Sequence, residues 1–466
     1  MSEAAKRRDH TMRESVQVLV VGGGPSGSTA ATLLARQGFT VTLLEQEHFP
    51  RYHIGESLLP SCLPVLDLLG VRGKIEAHGF KRKGGAYFAW GSEQWELRFN
   101  ELFGTEYSWQ VVRSEFDNLL LEHSRENHVD VQEGVAVKKV HFDEEGRAVS
   151  AAWERTDRSE SGTIAFDYIL DASGRAGLLA TKHHSSRRLH DVFKNVALWG
   201  YWKGAKPLEQ GPEGAIGVCS IPHGWLWEIP LHDDRVSVGA VISKEHLREQ
   251  QAQGVELAKI YHDKLAESEL VTDLLEKAEL VTEVKAETDY SYVTENFGGP
   301  GYLLAGDAAC FLDPLLSTGV HLAMFSALLA AATITSVLRE TVPEQEALAF
   351  YEKAYRTSYE RLLIVVSLFY QNYRGRDEQF YRAQKLTAGE KHRLNLHEAF
   401  LHIVTGVEDL ADAQERAFDR VADALAPEGV PLGVHGEDML VGPNSPERAL
   451  SGLYLSTEPT VEILRA

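Results

Sequence analysis

An α/β fold follows from three observations on the sequence. The β-branched run Val16 to Val21 leads directly into a glycine-rich turn, Gly22-Gly23-Gly24-Pro25-Ser26-Gly27, and an Ala/Leu-rich stretch, Ser26 to Gln37, then reads as a helix ending at Gly38. A second short apolar strand, Thr40 to Leu44, comes next and closes on Glu45. Far downstream a further short strand beginning at Tyr302 meets Gly306-Asp307-Ala308-Ala309 and Asp313-Pro314, ahead of the apolar stretch Gly319 to Leu338. Strands alternating with helices in this way build a mostly parallel sheet covered by helices.

The first strand, turn and helix have the spacing of a dinucleotide site. Gly22 lets the chain reverse, Gly24 lets backbone approach a pyrophosphate, and Gly27 lets the helix pack closely on the strand. Pro25 and Ser26 open the helix, so its N-terminal amides face the phosphates. At the end of the second strand, the Glu45 carboxylate can accept hydrogen bonds from ribose hydroxyls. A Rossmann-like domain is therefore expected at this end of the chain.

Tyr302 to Leu316 bears on which dinucleotide is bound. Its strand, its Gly306-Asp307 pair and its Asp313-Pro314 pair resemble the flavoproteins of the aromatic-hydroxylase fold. That resemblance implies FAD: the residue matching Asp307 holds the ribityl chain, and the loop through Pro314 faces the pyrimidine edge of the isoalloxazine. The physics agrees, because reduced flavin carries negative charge at that edge and helix amides stabilise it. Three more segments fit the class: Arg51 with Gly55-Glu56-Ser57, Gln110 with Arg113, and Asp171-Ala172-Ser173-Gly174. The Arg113 guanidinium matches phosphate geometry. Its alternative is a surface ion pair with the helix expected from Glu115 to Glu122. Hydroxylases of the class carry Asp-Gly at the third segment, where it helps bind NADPH, whereas this chain has Asp171-Ala172. With no second glycine fingerprint either, FADH2 is expected to arrive from a separate flavin reductase.

Composition narrows the partners. The chain has 466 residues, 44% hydrophobic and 25% charged, enough for a substantial core and unlike a disordered or fibrous protein. Lys plus Arg is 47 against 68 Asp plus Glu, and the net charge of -21 repels nucleic acid and anionic membrane surfaces. Cys62, Cys219 and Cys310 are odd in number and form no CxxC pair, so neither disulfides nor a metal site is expected. Met1 to Ser15 lacks the apolar run of a signal peptide, and a cytoplasmic location is expected. Gly319 to Leu338 contains His321 and several hydroxyl residues, which reads as a buried helix and not a membrane span.

Three features point to a reaction. Gly224-Trp225-Leu226-Trp227-Glu228-Ile229-Pro230 resembles the WxWxIP signature of flavin-dependent halogenases. Tryptophans at i and i+2 of an extended segment project from one face, so Trp225 and Trp227 can form a wall. In the family such a wall keeps organic substrate away from the flavin oxidant; the structural alternative is ordinary aromatic core. Phe80-Lys81-Arg82-Lys83-Gly84-Gly85-Ala86 precedes the strand-like Tyr87 to Trp90. By resemblance, the lysine three residues before that alanine is catalytic, which selects Lys83; Lys81 and Arg82 read as a solvated basic run. Its amine would hydrogen-bond hypohalous acid, or form a haloamine, and deliver electrophilic halogen, with burial favouring the neutral form. Ser317, Thr318 and Gly319 stand where the family holds halide, at a helix N-terminus beside flavin. Members acting on free tryptophan carry Glu just before this Ser-Thr-Gly, and here the residue is Leu316. That departure points to phenols and pyrroles, in some members tethered to carrier proteins.

The resemblance covers residues 15 to about 375. It implies a Rossmann-like FAD-binding domain (about 15–95, 105–185 and 290–345) interleaved with a mixed or antiparallel β-sheet substrate domain (about 80–105 and 190–290). A mostly helical C-terminal segment, 376–466, with a helix from Val407 to Leu425 and a Pro/Gly-rich stretch from Pro427 to Pro446, is expected beyond it and could cap the active site. The expected reaction is FADH2- and O2-dependent halogenation, expected as chlorination though the halide can be chloride or bromide, of an electron-rich aromatic ring, phenolic or pyrrolic, in secondary metabolism. Trp199 and Tyr201 are candidate neighbours of that ring. No base is identifiable; His53, His223 and His321 are candidates better read as structural. The alternative is an FAD-dependent aromatic hydroxylase, which shares the chassis and has no use for Lys83. A flavin-binding scaffold without turnover is a third reading.

Overall fold

The structure, a computed structural model, describes residues 12–91, 93–101, 106–189, 194–288, 291–371 and 443–466. Its first sheet has a parallel centre in the order Tyr302–Leu304, Ser161–Asp171, Ser15–Val21, Val41–Glu45, Asp130–Glu133. Val18, Leu19 and Val20 are fully buried, as befits a parallel strand covered on both faces. The helix Pro25–Arg36 follows the glycine turn, and its buried side packs against the 20-residue helix Gly319–Leu338. That second helix is long and apolar enough to cross a membrane, but 94% of its apolar window is buried inside the protein. It is the core helix the sequence predicts.

The second sheet runs Glu279–Leu280, Asn195–Lys203, Arg235–Ser243, Gly224–Pro230, Ile216–Ile221, Gly85–Trp90, Glu93–Arg98, antiparallel except where Ile216–Ile221 meets Gly85–Trp90. Strand alternation divides its side chains between two cores. Ala197, Trp199, Tyr201, Trp225, Trp227 and Ile229 join the main core, whereas Val196, Leu198 and Leu226 join a smaller cluster. Helix Leu257–Leu265 closes that smaller cluster with Ile260, Tyr261 and Leu265. One face of the sheet is thereby left to look toward the first sheet.

The C-terminal expectation needs correction where it can be compared. The expected helix Val407 to Leu425 and most of the Pro/Gly-rich stretch lie outside the described residues. Residues 443–466 are not helical: a 3-10 turn, Pro446–Arg448, leads into a hairpin of Leu453–Ser456 and Glu462–Arg465. Leu453, Leu455, Val461 and Ile463 are buried with the two-residue spacing of strands and pack on helix Gly319–Leu338. The Ile463 amide donates to Ser336 Oγ at 2.7 Å.

Candidate active site

A cavity of about 490 Å³ opens at the carboxyl ends of the parallel strands, where α/β sheets bind ligands. The first sheet lines it with Val21, Gly22, Gly24, Pro25, Ser26 and Glu45, and Arg51, Arg113, Asp307 and Pro314 add to the wall. The second sheet contributes Trp199, Trp225, Trp227, Ile216 and Ile229, and the corner Ser317-Thr318-Gly319 completes the enclosure.

The glycine turn is shaped by close approach. Gly22 has φ +104°, and a Cβ there would lie 2.3 Å from Ala172 O; one on Gly27 would lie 1.9 Å from Gly22 O. No larger residue fits either place, so Gly27 presses the helix onto the strand without lining the cavity itself. Glu45 braces the turn, accepting from the Gly23 amide at 2.7 Å and the Glu47 amide at 2.8 Å while still facing the cavity. Ser26 Oγ is buried with no protein hydrogen-bond partner. An orphaned hydroxyl at a helix N-terminus is what a bound pyrophosphate would satisfy. The residues present therefore fit FAD.

Asp307 is half-buried beside Arg113, Arg175 and Arg187; desolvation pushes its carboxyl up to about 6 and the arginines hold it back. Gly306, with φ +58°, sits behind it, where a Cβ would come within 3.2 Å of the Ser26 side chain. Arg113 lines the cavity but is already engaged. Its Nε and Nη2 donate to Asp117 at 2.8 and 3.0 Å, and Nη1 to the carbonyls of Ile54 and Gly55. The ion-pair alternative thus accounts for two of these four hydrogen bonds, but the pair is buried and not at the surface. Arg51 also reaches Asp117, at 3.3 Å.

Besides Gly27 and Gly306, two further expected cofactor residues do not line the cavity. Asp171 is fully buried, and its carboxylate accepts from the Ser173 amide, Ser173 Oγ and the Leu179 amide, so it folds its own loop. Gln110 donates to Gly214 O at 3.1 Å and pairs with Lys81 across a two-stranded ribbon. Arg175 and Lys182, which do line the cavity, were missed. Only Arg175, directly after the segment Asp171-Ala172-Ser173-Gly174, carries a signal in the sequence.

Trp225 and Trp227 do share one face: their rings are 6.0 Å apart, and Trp199 lies 6.5 Å from Trp227. Opposite Trp227 across the ladder is Gly239, where a Cβ would collide with the indole at 2.1 Å. Ser317 adopts the left-handed conformation, φ +57°, and Thr318 caps the helix that begins at Gly319. The first-turn amides of that helix lack acceptors within the helix. His53 lines the cavity, but burial and Arg113 pull its imidazole down to about 4. His223, stacked on His246, and His321, stacked on Phe325, do not line it.

Lys83 lies in a second, smaller pocket among Leu59, Ala86, Phe88, Phe99, Leu315 and Leu316. Ile216 and Ser317 belong to both linings, so the two spaces share a wall. Lys83 is only 2% exposed; its Nζ donates to Leu58 O at 3.1 Å and sits 5.5 Å from the Phe99 ring centre. Burial pulls its amine down to about 7, against a small opposing pull from Cys62. Arg82 is mostly exposed and pairs with Glu76, and Lys81 pairs with Glu213.

The tryptophan halogenase family model matches residues 17–106 and 96–422, most of the chain. The chain belongs to the flavin-dependent halogenases. A relative named tryptophan 2-halogenase, from Chondromyces crocatus, is 47% identical over 89% of this chain and 81% of its own length. Flavin-dependent halogenase armH3 of Armillaria mellea is 38% identical over 89% of this chain and 80% of its own. The solved myxobacterial chondrochloren halogenase CndH superposes with TM-score 0.76 at 33% identity, covering 92% of this chain and 99% of that one. Membership sets aside the hydroxylase and scaffold alternatives. The halogenase uses FADH2, a halide and O2, and needs a flavin reductase and an aromatic substrate.

Proposed function

We propose that this halogenase chlorinates a phenolic or pyrrolic ring, with Lys83 delivering the halogen from a pocket separate from the flavin cavity. The carrying observation is the burial of a lone amine among aliphatic and aromatic side chains beside, and not inside, the cavity. When bound and reduced, FAD supplies the electrons with which O2 oxidises halide. Gly22, Gly24, Ser26, Arg51 and Asp307 would hold it, and Thr318 and Gly319 would hold halide at the helix N-terminus. The wall of Trp225 and Trp227 keeps an arene off the flavin and leaves a small electrophile to reach Lys83. An amine with half its molecules neutral near pH 7 can accept halogen or hydrogen-bond hypohalous acid.

Leu316 supports the ring class. It is buried in the Lys83 pocket, whose other side chains are apolar apart from Lys83 and Ser317. With Leu316 at this position, no carboxylate stands there to pair with the ammonium of a free amino acid. The name of the Chondromyces crocatus relative favours a second reading, an indole substrate. The test is a reductase-coupled assay with chloride or bromide on phenols, pyrroles and tryptophan, free and as carrier thioesters, read by mass. Chlorinated phenol or pyrrole is expected; chlorinated tryptophan alone would overturn the ring class. The cysteines Cys62, Cys219 and Cys310, free and buried, suit a reducing compartment such as the cytoplasm.

A further inference from the structure

Halogenation consumes a proton. Neutral reduced flavin, O2, chloride, an arene and one proton give oxidised flavin, the aryl chloride and two waters, with the arene hydrogen leaving as part of that water. O2 takes up four electrons, two from the flavin and two from the halide and arene; the O–O and aryl C–H bonds break and the C–Cl bond forms. That proton has to reach the reacting oxygen in the flavin cavity.

One line of hydroxyls crosses its wall. Trp199 Nε1 donates to Tyr52 Oη at 2.7 Å, Tyr52 and Tyr201 hydroxyls are 3.1 Å apart, and Tyr201 Oη donates to Glu56 Oε1 at 2.6 Å. With Glu56 ionised, the direction is forced. An indole can only donate, and Tyr201 spends its proton on the carboxylate, so Tyr52 must donate onward to Tyr201. Every hydroxyl therefore points from Tyr52, which is 48% exposed, to Glu56, which is 3% exposed and lines the cavity. Glu56 Oε2 is buried without a hydrogen bond of normal geometry, although Ser237 approaches the carboxyl.

We propose that Tyr52, Tyr201 and Glu56 form a proton line from the surface to the flavin cavity, with Glu56 the acid that gives the proton to reacting oxygen. The inference rests on the halogenase reaction. Burial pushes the Glu56 carboxyl up to about 7, against Tyr201, Ser237, Arg113 and Arg235, which favour the carboxylate. The charged groups facing the line are Arg113 from helix Arg113–Glu126, Arg235 over the Tyr201 ring, and Lys285 over the Tyr52 ring. His53, the cavity imidazole on the same loop, is held neutral near pH 7 and cannot act as the acid. Glu56 is thus protonated below about pH 7 and re-protonated through Tyr201.

The test compares wild type with Glu56→Gln, Tyr201→Phe and Tyr52→Phe. Hypohalite formed from FADH2, O2 and halide without arene is trapped by a thioether reporter from pH 6 to 9 (roughly the window in which a buried acid of this kind titrates). Infrared difference spectra of the apoprotein record carboxyl titration, and fluorescence records FAD affinity. Wild type should lose hypohalite formation as pH rises past about 7, in step with a carboxyl band absent from Glu56→Gln. Glu56→Gln should lower that rate ~100-fold and flatten its pH profile, and Tyr201→Phe ~10-fold, rescued by imidazole buffer. FAD affinity should be unchanged in both. Undiminished hypohalite from Glu56→Gln, or no carboxyl titrating near pH 7, overturns the line. No hypohalite from wild type would instead overturn the halogenase reading, so the two failures are distinct. Tyr201→Phe removes only a hydroxyl and keeps the test valid if Glu56→Gln folds poorly.

Discussion

The flavin cavity and the Lys83 pocket share Ile216 and Ser317 but are built on opposite principles. The cavity is about 490 Å³, floored by backbone amides and ringed by Glu45, Glu56, Asp307 and three arginines, Arg51, Arg113 and Arg175. The Lys83 pocket offers about 10 Å³, near the least space a water occupies, and places one amine against aliphatic and aromatic carbon. Electron and proton chemistry at oxygen needs charges and dipoles fixed in advance. Holding a neutral amine needs their absence. A thin wall between the two lets one chain keep both conditions at once.

The sharpest way to break this comparison is at the amine. Lys83→Ala should cut halogenated product by ~10³-fold by mass spectrometry while O2 consumption persists. Equal loss of both would mean that Lys83 belongs to the flavin cavity. Next, Gly27→Ala forces a Cβ to 1.9 Å from Gly22 O. It should weaken FAD binding ~10- to 100-fold by fluorescence titration, as ~1–3 kcal/mol of overpacking implies.

The two spaces should also respond to pH in opposite senses. Lys83 sheds its proton as pH rises through about 7, so transfer of supplied hypohalite to the ring should accelerate there. Glu56 sheds its proton over the same range, so oxidant formation should slow. Matching single-turnover profiles for the two halves would contradict the division. Lys83→Met should raise the melting temperature, because the unfolded lysine holds its proton up to about 10.5 and the buried one only to about 7. Its advantage should be greatest at or below pH 7 and shrink as pH climbs toward 10.5. The smallest effect expected is from Ser336→Ala, which removes the hairpin anchor and should cost about 1 kcal/mol in thermal unfolding.

What was legible in the sequence obeys local rules. Gly22 and Gly27 are readable because a positive φ and a helix pressed on a strand admit little else. Trp225 and Trp227 are readable because strand alternation fixes their common face. Gln110 and Asp171 sit in the right segments, but their side chains are taken by partners no motif describes, Gly214 O for one and the loop amides at Ser173 and Leu179 for the other. The Tyr52, Tyr201 and Glu56 line joins residues 145 to 149 positions apart, beyond any spacing rule. The terminal hairpin was hidden because two brief apolar alternations carry little signal next to a Pro/Gly-rich stretch.

That hairpin also sets the geometry of any self-sufficient version of the enzyme. Ala466 donates its amide to Gly452 O, and the hairpin is fastened at Ser336, near the far end of helix Gly319–Leu338. The helix spans ~30 Å at 1.5 Å per residue. A reductase fused after Ala466 would start about one helix length from the corner at Thr318. The tether would then govern effective concentration of reduced cofactor: too short a linker cannot reach the cavity mouth, and one matched to the span gives the fastest delivery.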